Sequence, residues 1–250
     1  MRVRTDMTTT TPGPAIQRAN ERGGADHGWL QTKHSFSFAN YHDPRYTHWG
    51  ALRVFNDDVV APGTGFGTHP HRDMEILTYV LEGELEHRDS MGNVGVVRPG
   101  GVQYLSAGTG IAHSEYNHSH DAPVHFVQMW VLPQASGLAP RYGQVDFTQD
   151  DRRNRWLPIA SGRAGVDAPI AIWQDATAYV ARLEDTVLKH VVAAGRYAFF
   201  FVASGRATLG DETLAAGDAA RVAGPFEIEA GGSAEVILWD VPAAPANVAR

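Results

Sequence analysis

The chain has 250 residues and 43% hydrophobic content, enough for one large domain or two small ones around sizeable cores. A net charge of −7, from 21 basic and 28 acidic residues, argues against a general affinity for nucleic acid or an anionic membrane. The absence of cysteine excludes disulfides, a thiol nucleophile and thiolate metal ligands, so any metal must sit on His, Asp or Glu.

Residues 1–14, with a threonine run and Pro12-Gly13-Pro14, read as a disordered lead-in without the apolar segment of a signal peptide. No apolar run reaches the roughly 20 residues of a membrane span. A cytoplasmic protein is therefore expected. His34-Ser-Phe-Ser-Phe38 predicts a strand with Phe36 and Phe38 on one face, and residues 41–45 predict a turn. Residues 52–55 predict another strand, closed by Asn56-Asp57-Asp58. From Pro62 the pattern is all-β. Gly63 to Gly67 reads as a turn, 74–81 as a strong strand rich in branched and aromatic residues, and 84–88 as its return after Glu82-Gly83. Turns at 89–93, 99–101 and 107–110 separate strands at 94–98 and 102–106, and 124–132 is a long central strand. Short strands at this spacing predict an antiparallel barrel or sandwich.

Residues 134–155 read as a link to a second half, with Arg152-Arg-Asn-Arg155 as a solvated cluster. That half is again all-β, with strands expected at 178–183, 186–192, 197–203, 208–209, 219–222, 226–229 and 235–240. The Gly205–Gly210 phrase with Ala216-Gly217-Asp218 echoes Gly83 to Gly101, a weak repeat of about a hundred residues. Residues 243–250 form a surface tail.

Two stretches carry chemistry. Gly67-Thr-His-Pro-His71 and Ile111-Ala-His-Ser-Glu115 each place imidazole or carboxylate groups two residues apart. Side chains two apart on a strand share a face, so His69 with His71, and His113 with Glu115, can aim at common points. Facing strands would merge these into one metal pocket with three imidazoles and a carboxylate. Four ligands on an octahedral ion leave about two positions open, which suits catalysis. Asp73 and Glu75 share the parity of His69 and His71, and spacing alone cannot choose between Glu75 and Glu115 as the acidic ligand. Glu75 could instead orient a ligand imidazole. His87, beside a turn, is expected in a structural hydrogen bond. His118 and His120 are expected in solvent, and His125 as a satisfied core residue. Phe36, Phe38, Met129 and Trp130 either pack the core or line a pocket above the metal. His190 is the one histidine of the second half, so that half cannot build such a site.

The run Gly67-Thr-His-Pro-His-Arg-Asp-Met-Glu-Ile-Leu-Thr-Tyr-Val-Leu-Glu-Gly83, with Glu86-His-Arg-Asp-Ser-Met-Gly-Asn93 and Ser106-Ala-Gly-Thr-Gly-Ile-Ala-His-Ser-Glu-Tyr-Asn117, resembles the pirin family. The likeness is to its bacterial members with quercetin 2,3-dioxygenase activity. Arg18-Ala-Asn-Glu-Arg22, His27-Gly-Trp-Leu30 and His34-Ser-Phe-Ser-Phe-Ala-Asn-Tyr41 fit the same family. The resemblance implies a bicupin of two antiparallel, jelly-roll-like β-barrels: a metal-binding barrel over 15–145 and a barrel without metal over 146–242. It implies His69, His71, His113 and Glu115 as ligands of one divalent ion, favouring Glu115 over Glu75. Fe(II) is the expected ion, with Ni, Mn, Co, Cu or Zn as alternatives. The implied activity is dioxygenolytic opening of flavonols with release of carbon monoxide. In that reaction Glu115 is expected either to stay a ligand or to loosen and accept the substrate hydroxyl's proton. The expected partners are a flavonol-like substrate and dioxygen, with no direct nucleic acid or membrane partner, acting on a monomer. A metal-dependent transcriptional co-regulator or redox-sensing partner, and a metal-cupin enzyme for another small enol or hydroxy-ketone, are the alternative functions.

Overall fold

Alternating apolar residues from Leu52 to Val131, punctuated by glycine turns, become strands almost without exception in the computed structural model, which describes residues 13–245. The expected lead-in lies almost wholly outside the described residues, as does the end of the tail. In chain order the strands begin β1 (Ala15–Gln17), β2 (Gly23–Asp26), β3 (Leu30–His34), β4 (Leu52–Val60), β5 (Gly65–His71), β6 (Glu75–Glu82) and β7 (Leu85–Asp89). They continue as β8 (Val94–Val97), β9 (Val102–Ser106), β10 (Ile111–Asn117), β11 (Val124–Val131) and β12 (Arg141–Val145). A short helix α1 (Gln149–Arg152) precedes β13 (Leu157–Ser161), β14 (Ile170–Ala171), β15 (Thr177–Val192), β16 (Tyr197–Leu209), β17 (Glu212–Ala215), β18 (Ala219–Ala223) and β19 (Phe226–Val241).

Three sheets result. A seven-stranded sheet runs β12-β9-β6-β11-β4-β3-β2, and a four-stranded sheet runs β5-β10-β7-β8. The second half forms β1-β18-β16-β19-β15-β13-β14, with β17 on the side of β16. The pairing is antiparallel apart from β13 with β14, and the sheets are open at their edges rather than closed barrels. The architecture is the expected all-β bicupin. One feature is invisible to local pattern: β1, at the start of the described chain, is hydrogen-bonded to β18 of the second half.

The central strands of the seven-stranded sheet are buried on both faces, which explains the run of six buried residues from Glu75 to Val80 in β6. Phe55, Leu77, Tyr79, Met129 and Val131 point to the second half, packing with Phe199, Phe201 and Trp239. Phe55 sits 4.7 Å from Phe199 and 4.8 Å from Phe201, ring to ring. Each such buried aromatic contributes about 1.5–3 kcal/mol. On the opposite face Val60, Val80 and Phe126 meet Leu85 and Val97 of the four-stranded sheet. The alternate residues of that face carry the site.

Several local expectations change. The strand at His34 ends there, because Ser37 turns the chain by bonding to Asp43 and Tyr46. Phe36 then enters the core against Phe199, whereas Phe38 lies on Trp130 near the site. Asn56-Asp57-Asp58 do not close β4; they continue it, with Asn56 bonded to His34 and Asp57 to Arg22 and His125. Gly65 to Gly67 belong to a strand, not a turn. The expected link contains β12, which extends the seven-stranded sheet. Arg152 is buried rather than solvated. Helix α1, capped by the Thr148–Asp151 exchange, turns it inward onto Tyr79 and Glu235. In the second half, pairs of short expected strands merge into the long β15, β16 and β19, with bulges at 184–186 and 202–204 absorbing the breaks.

Candidate metal centre

β5 and β10 pair so that His69 and His113 are direct cross-strand neighbours. The turn before β10 is fixed by Gly108: its φ is +45°, and a Cβ there would fall 2.0 Å from the Leu138 carbonyl oxygen. His71 joins from two residues along β5. The rings of His69, His71 and His113 lie 4.5–4.9 Å apart, centroid to centroid, and offer one nitrogen each within 4.8 Å of one another.

Hydrogen bonds decide which nitrogens face each other. His69 Nδ1 is 2.8 Å from the Gly67 carbonyl oxygen, which can only accept, so Nδ1 carries the proton and Nε2 keeps its lone pair. A longer chain sets His113. Asp89 accepts from His87 Nε2–H at 3.1 Å, leaving His87 Nδ1 to accept from His113 Nδ1–H at 3.4 Å. His113 Nε2 is then unprotonated, buried and without a partner among the described residues. Burial opposes the Asp89 charge, but hydrogen bonds from Asn93 and His87 outweigh it and hold the carboxyl below its usual range. Tyr142 stacks flat on His87, 4.2 Å between centroids at 11°. Burial, and then the neighbouring imidazoles, push His71 down to about 4 and His113 down to about 3. Both rings are neutral near pH 7. The lone pairs that hydrogen bonds leave on His69 Nε2 and His113 Nε2, a His71 ring kept neutral by burial, and an orphaned nitrogen otherwise costly to bury fit a divalent cation.

Glu115 is buried and belongs to a second group, within 4.8 Å of His87 and His113. A bulge between His113 and Glu115 shifts it so that it pairs with Phe66 rather than continuing the even register. Its carboxylate accepts from Gln128 Nε2 at 2.7 Å and from Gln103 Nε2, with Thr78 Oγ1 at 3.5 Å. Trp130 Nε1 donates to Gln128 Oε1 at 3.1 Å and so fixes which end of that amide faces Glu115. Glu75 faces the other way: it accepts from Tyr104 at 2.5 Å, Ser106 at 2.6 Å and the Trp173 N–H at 2.9 Å, on the side of the second half. Parity fails between His71 and Glu75 because Asp73, at φ +47°, breaks the strand; Asp73 accepts from the Gly137 N–H instead.

The residues under Glu115 form a polar row. His34, Asn56, Gln128, Thr78 and Gln103 are successive cross-strand neighbours on β3, β4, β11, β6 and β9. Each strand contributes one side chain to the row, so the row exists only once the register is known. A cavity of about 310 Å³ opens beside it, with Leu30, Phe38, Phe66 and Trp130 as apolar walls and His69, His71 and Glu115 among its polar lining. Phe38 and Trp130 thus line the pocket, whereas Phe36 and Met129 belong to the core shared with the second half. His118 is half exposed beside Glu86, and His125 is satisfied by Asp57 at 2.6 Å. The spacing of His87-x-Asp89 was the one sequence signal for the histidine chain, and it mirrors the spacing of His69-x-His71 and His113-x-Glu115.

A family model described as pirin matches residues 15–131, and one described as quercetinase C-terminal cupin domain matches 158–241. The chain is 44% identical over 230 residues to the quercetin 2,3-dioxygenase of Escherichia coli, covering 91% of this chain and 98% of that one. It is 52% identical over 140 residues to a pirin-like protein of Caulobacter vibrioides, covering 56% and 60% of the two chains. Among solved structures it superposes on the nickel(II) complex of the bacterial pirin YhhW from Escherichia coli, with a TM-score of 0.86, 42% identity and coverage of 92% and 100%. Long matching stretches in both halves, carried by one fold from end to end, place this chain in the pirin family.

Proposed function

We propose that this protein is a metal-dependent dioxygenase that opens flavonols such as quercetin, with His69, His71, His113 and Glu115 as the metal-binding residues. The observation that carries the reading is the convergence of three imidazoles: His69 and His71 line an aromatic-walled cavity of small-ligand size, and His113 beside them has a buried Nε2 with no partner among the described residues. The name of the E. coli relative, at 44% identity over nearly its whole length, supports the substrate class. A bound divalent cation would supply Lewis acidity toward a flavonol's hydroxyl–keto pair and the redox capacity for its reaction with dioxygen.

The chain's own residues do the rest. Trp130, Phe38 and Phe66 hold the planar rings and exclude water. Glu115, fixed by Gln103 and Gln128, offers a carboxylate oxygen to the substrate hydroxyl's proton. The Asp89–His87–His113 chain keeps His113 in the tautomer whose Nε2 faces the site. The donor set accommodates Fe(II), our expected ion, and also nickel, which the E. coli pirin structure contains. We propose action as a monomer in the cytoplasm, and a division into a metal-binding unit over 15–145 and a metal-free unit over 146–242. No helix among the described residues is long and apolar enough to cross a membrane.

Protein loaded in turn with Fe, Ni, Mn, Co or Cu, given quercetin, should consume it with matching oxygen uptake. Absence of turnover with every metal would remove the enzyme reading.

A further inference from the structure

Asp58 is the second polar residue that β4 turns toward the cavity. It lies one step along from the polar row, paired in register with Thr32 on β3 and Phe126 on β11. It is 4% exposed and lines the same cavity as His69, His71 and Glu115. The neighbouring polar groups have partners: His34 Nδ1 bonds Asn56 Oδ1 at 2.8 Å, and Gln128 is held between Trp130 and Glu115. Asp58 Oδ1 has none, and among the described cavity-lining residues it is the one buried side-chain oxygen or nitrogen so left. A buried acceptor without a donor is costly, and native chains keep one where a ligand or water completes it.

The walls around it are Leu30, Phe38, Phe66 and Trp130, which suit a flat aromatic body. An acceptor set among them is matched by a phenolic O–H. Resting on the flavonol reading above, we propose that Asp58, with Thr32 beside it, is the substrate-recognition point of the cavity. It accepts a hydrogen bond from a phenolic hydroxyl of a polyphenol whose hydroxyl–keto end lies at the imidazoles. The site therefore selects polyhydroxylated flavonols over those bearing the hydroxyl–keto pair alone. Burial, opposed by Thr32 and by Arg22 and aided by the charges of Asp57 and Glu115, pushes the Asp58 carboxyl up to about 7. A carboxyl poised so can also donate, which widens the set of ring oxygens it can hold.

The test compares quercetin with 3-hydroxyflavone, which keeps the hydroxyl–keto pair and lacks the ring phenols. On metal-loaded wild-type protein, Asp58→Leu and Asp58→Asn, both kcat/KM and Kd, from quenching of tryptophan fluorescence, are measured for each compound. The wild type should prefer quercetin. Asp58→Leu should lose about tenfold more on quercetin than on 3-hydroxyflavone, the size of one hydrogen bond between neutral groups. Asp58→Asn, which retains a carbonyl acceptor, should keep most of the preference. Equal losses on both compounds, or no loss on either, would make Asp58 a structural carboxyl and overturn the proposal. Binding without turnover in the wild type would refute the dioxygenase reading alone, and the Kd ratio would still decide the role of Asp58. Absence of binding of either compound to the wild type would overturn the proposal as well.

Discussion

The two halves of the chain share a strand–hairpin–turn–strand order, seen in β7 to β9 and again in β16 to β18, yet their interiors differ in kind. Inside the first half His34, Asn56 and Gln128 of the polar row, with His69, His71 and Glu115, line a cavity, and His113 converges on the two other imidazoles beside it. Inside the second, Leu183, Phe200, Val202, Leu209, Val222 and Leu238 belong to one apolar core. Its single histidine, His190, is tied to Asp240, which also takes Arg163 and Arg196. The contrast teaches that the fold supplies strand positions, and that about ten side chains decide whether those positions make a site or a core.

Four substitutions and a pH series test that contrast, in falling order of effect. His113→Ala removes the nitrogen with no other partner, so metal content by elemental analysis should fall to near zero and turnover with it. Retained stoichiometric metal would mean that the imidazole cluster is no more a metal site than the second half is. Glu115→Gln should keep the metal while lowering kcat by about 10²–10⁴, the usual worth of a positioned acid–base group. Loss of metal instead would assign Glu115 a purely ligating part. His87→Leu cuts the chain that sets the His113 tautomer, and competition with a chelator should reveal metal affinity weakened about 10–100-fold. In the second half, His190→Gln should leave metal content and turnover as they are, and lower Tm by a few degrees through the loss of one partner of buried Asp240. A change in metal content there would collapse the distinction between the halves.

The pH series acts on stability alone. His71 and His113 titrate at about 4 and about 3 in the folded chain against 6.5 in the unfolded one. The unfolded state thus binds more protons, and metal-free protein should lose stability as pH falls from about 6.5 toward 3. Asp58 acts with the opposite sign. Its folded value of about 7 stands above the unfolded 3.8, so its contribution is lost as pH rises from about 4 through 7. Thermal melts from pH 5 to pH 8 should therefore show Asp58→Asn gaining on the wild type toward pH 8. A constant difference across that range would count against the shifted carboxyl.

Much of this was legible in residue order. The strands, the turns and the two His pairs follow from period-two spacing, because that spacing is a property of a single strand. What depends on register was not. The row from His34 to Gln103 spans five strands with one polar residue in each, and no window of sequence contains it. Parity carried His69 to His71 correctly and failed at Glu75, since one residue of positive φ at Asp73 resets the alternation. Arg152 looked solvated because its neighbours are charged; only packing of α1 on β6 and β19 reveals its partners.

The two-sided burial of the seven-stranded sheet bears on what the second half does for the first. Cut away β13 to β19, and Phe55, Leu77, Tyr79, Met129 and Val131 become one greasy plane facing water. The backbone beneath that plane is the same backbone that holds Asn56, Thr78 and Gln128 in line on its reverse side. A fragment truncated near residue 150 would be expected to clump, or to lose its reaction chamber as the strands shift. The second half is thus less a relic of duplication than the anvil against which the working face is kept flat.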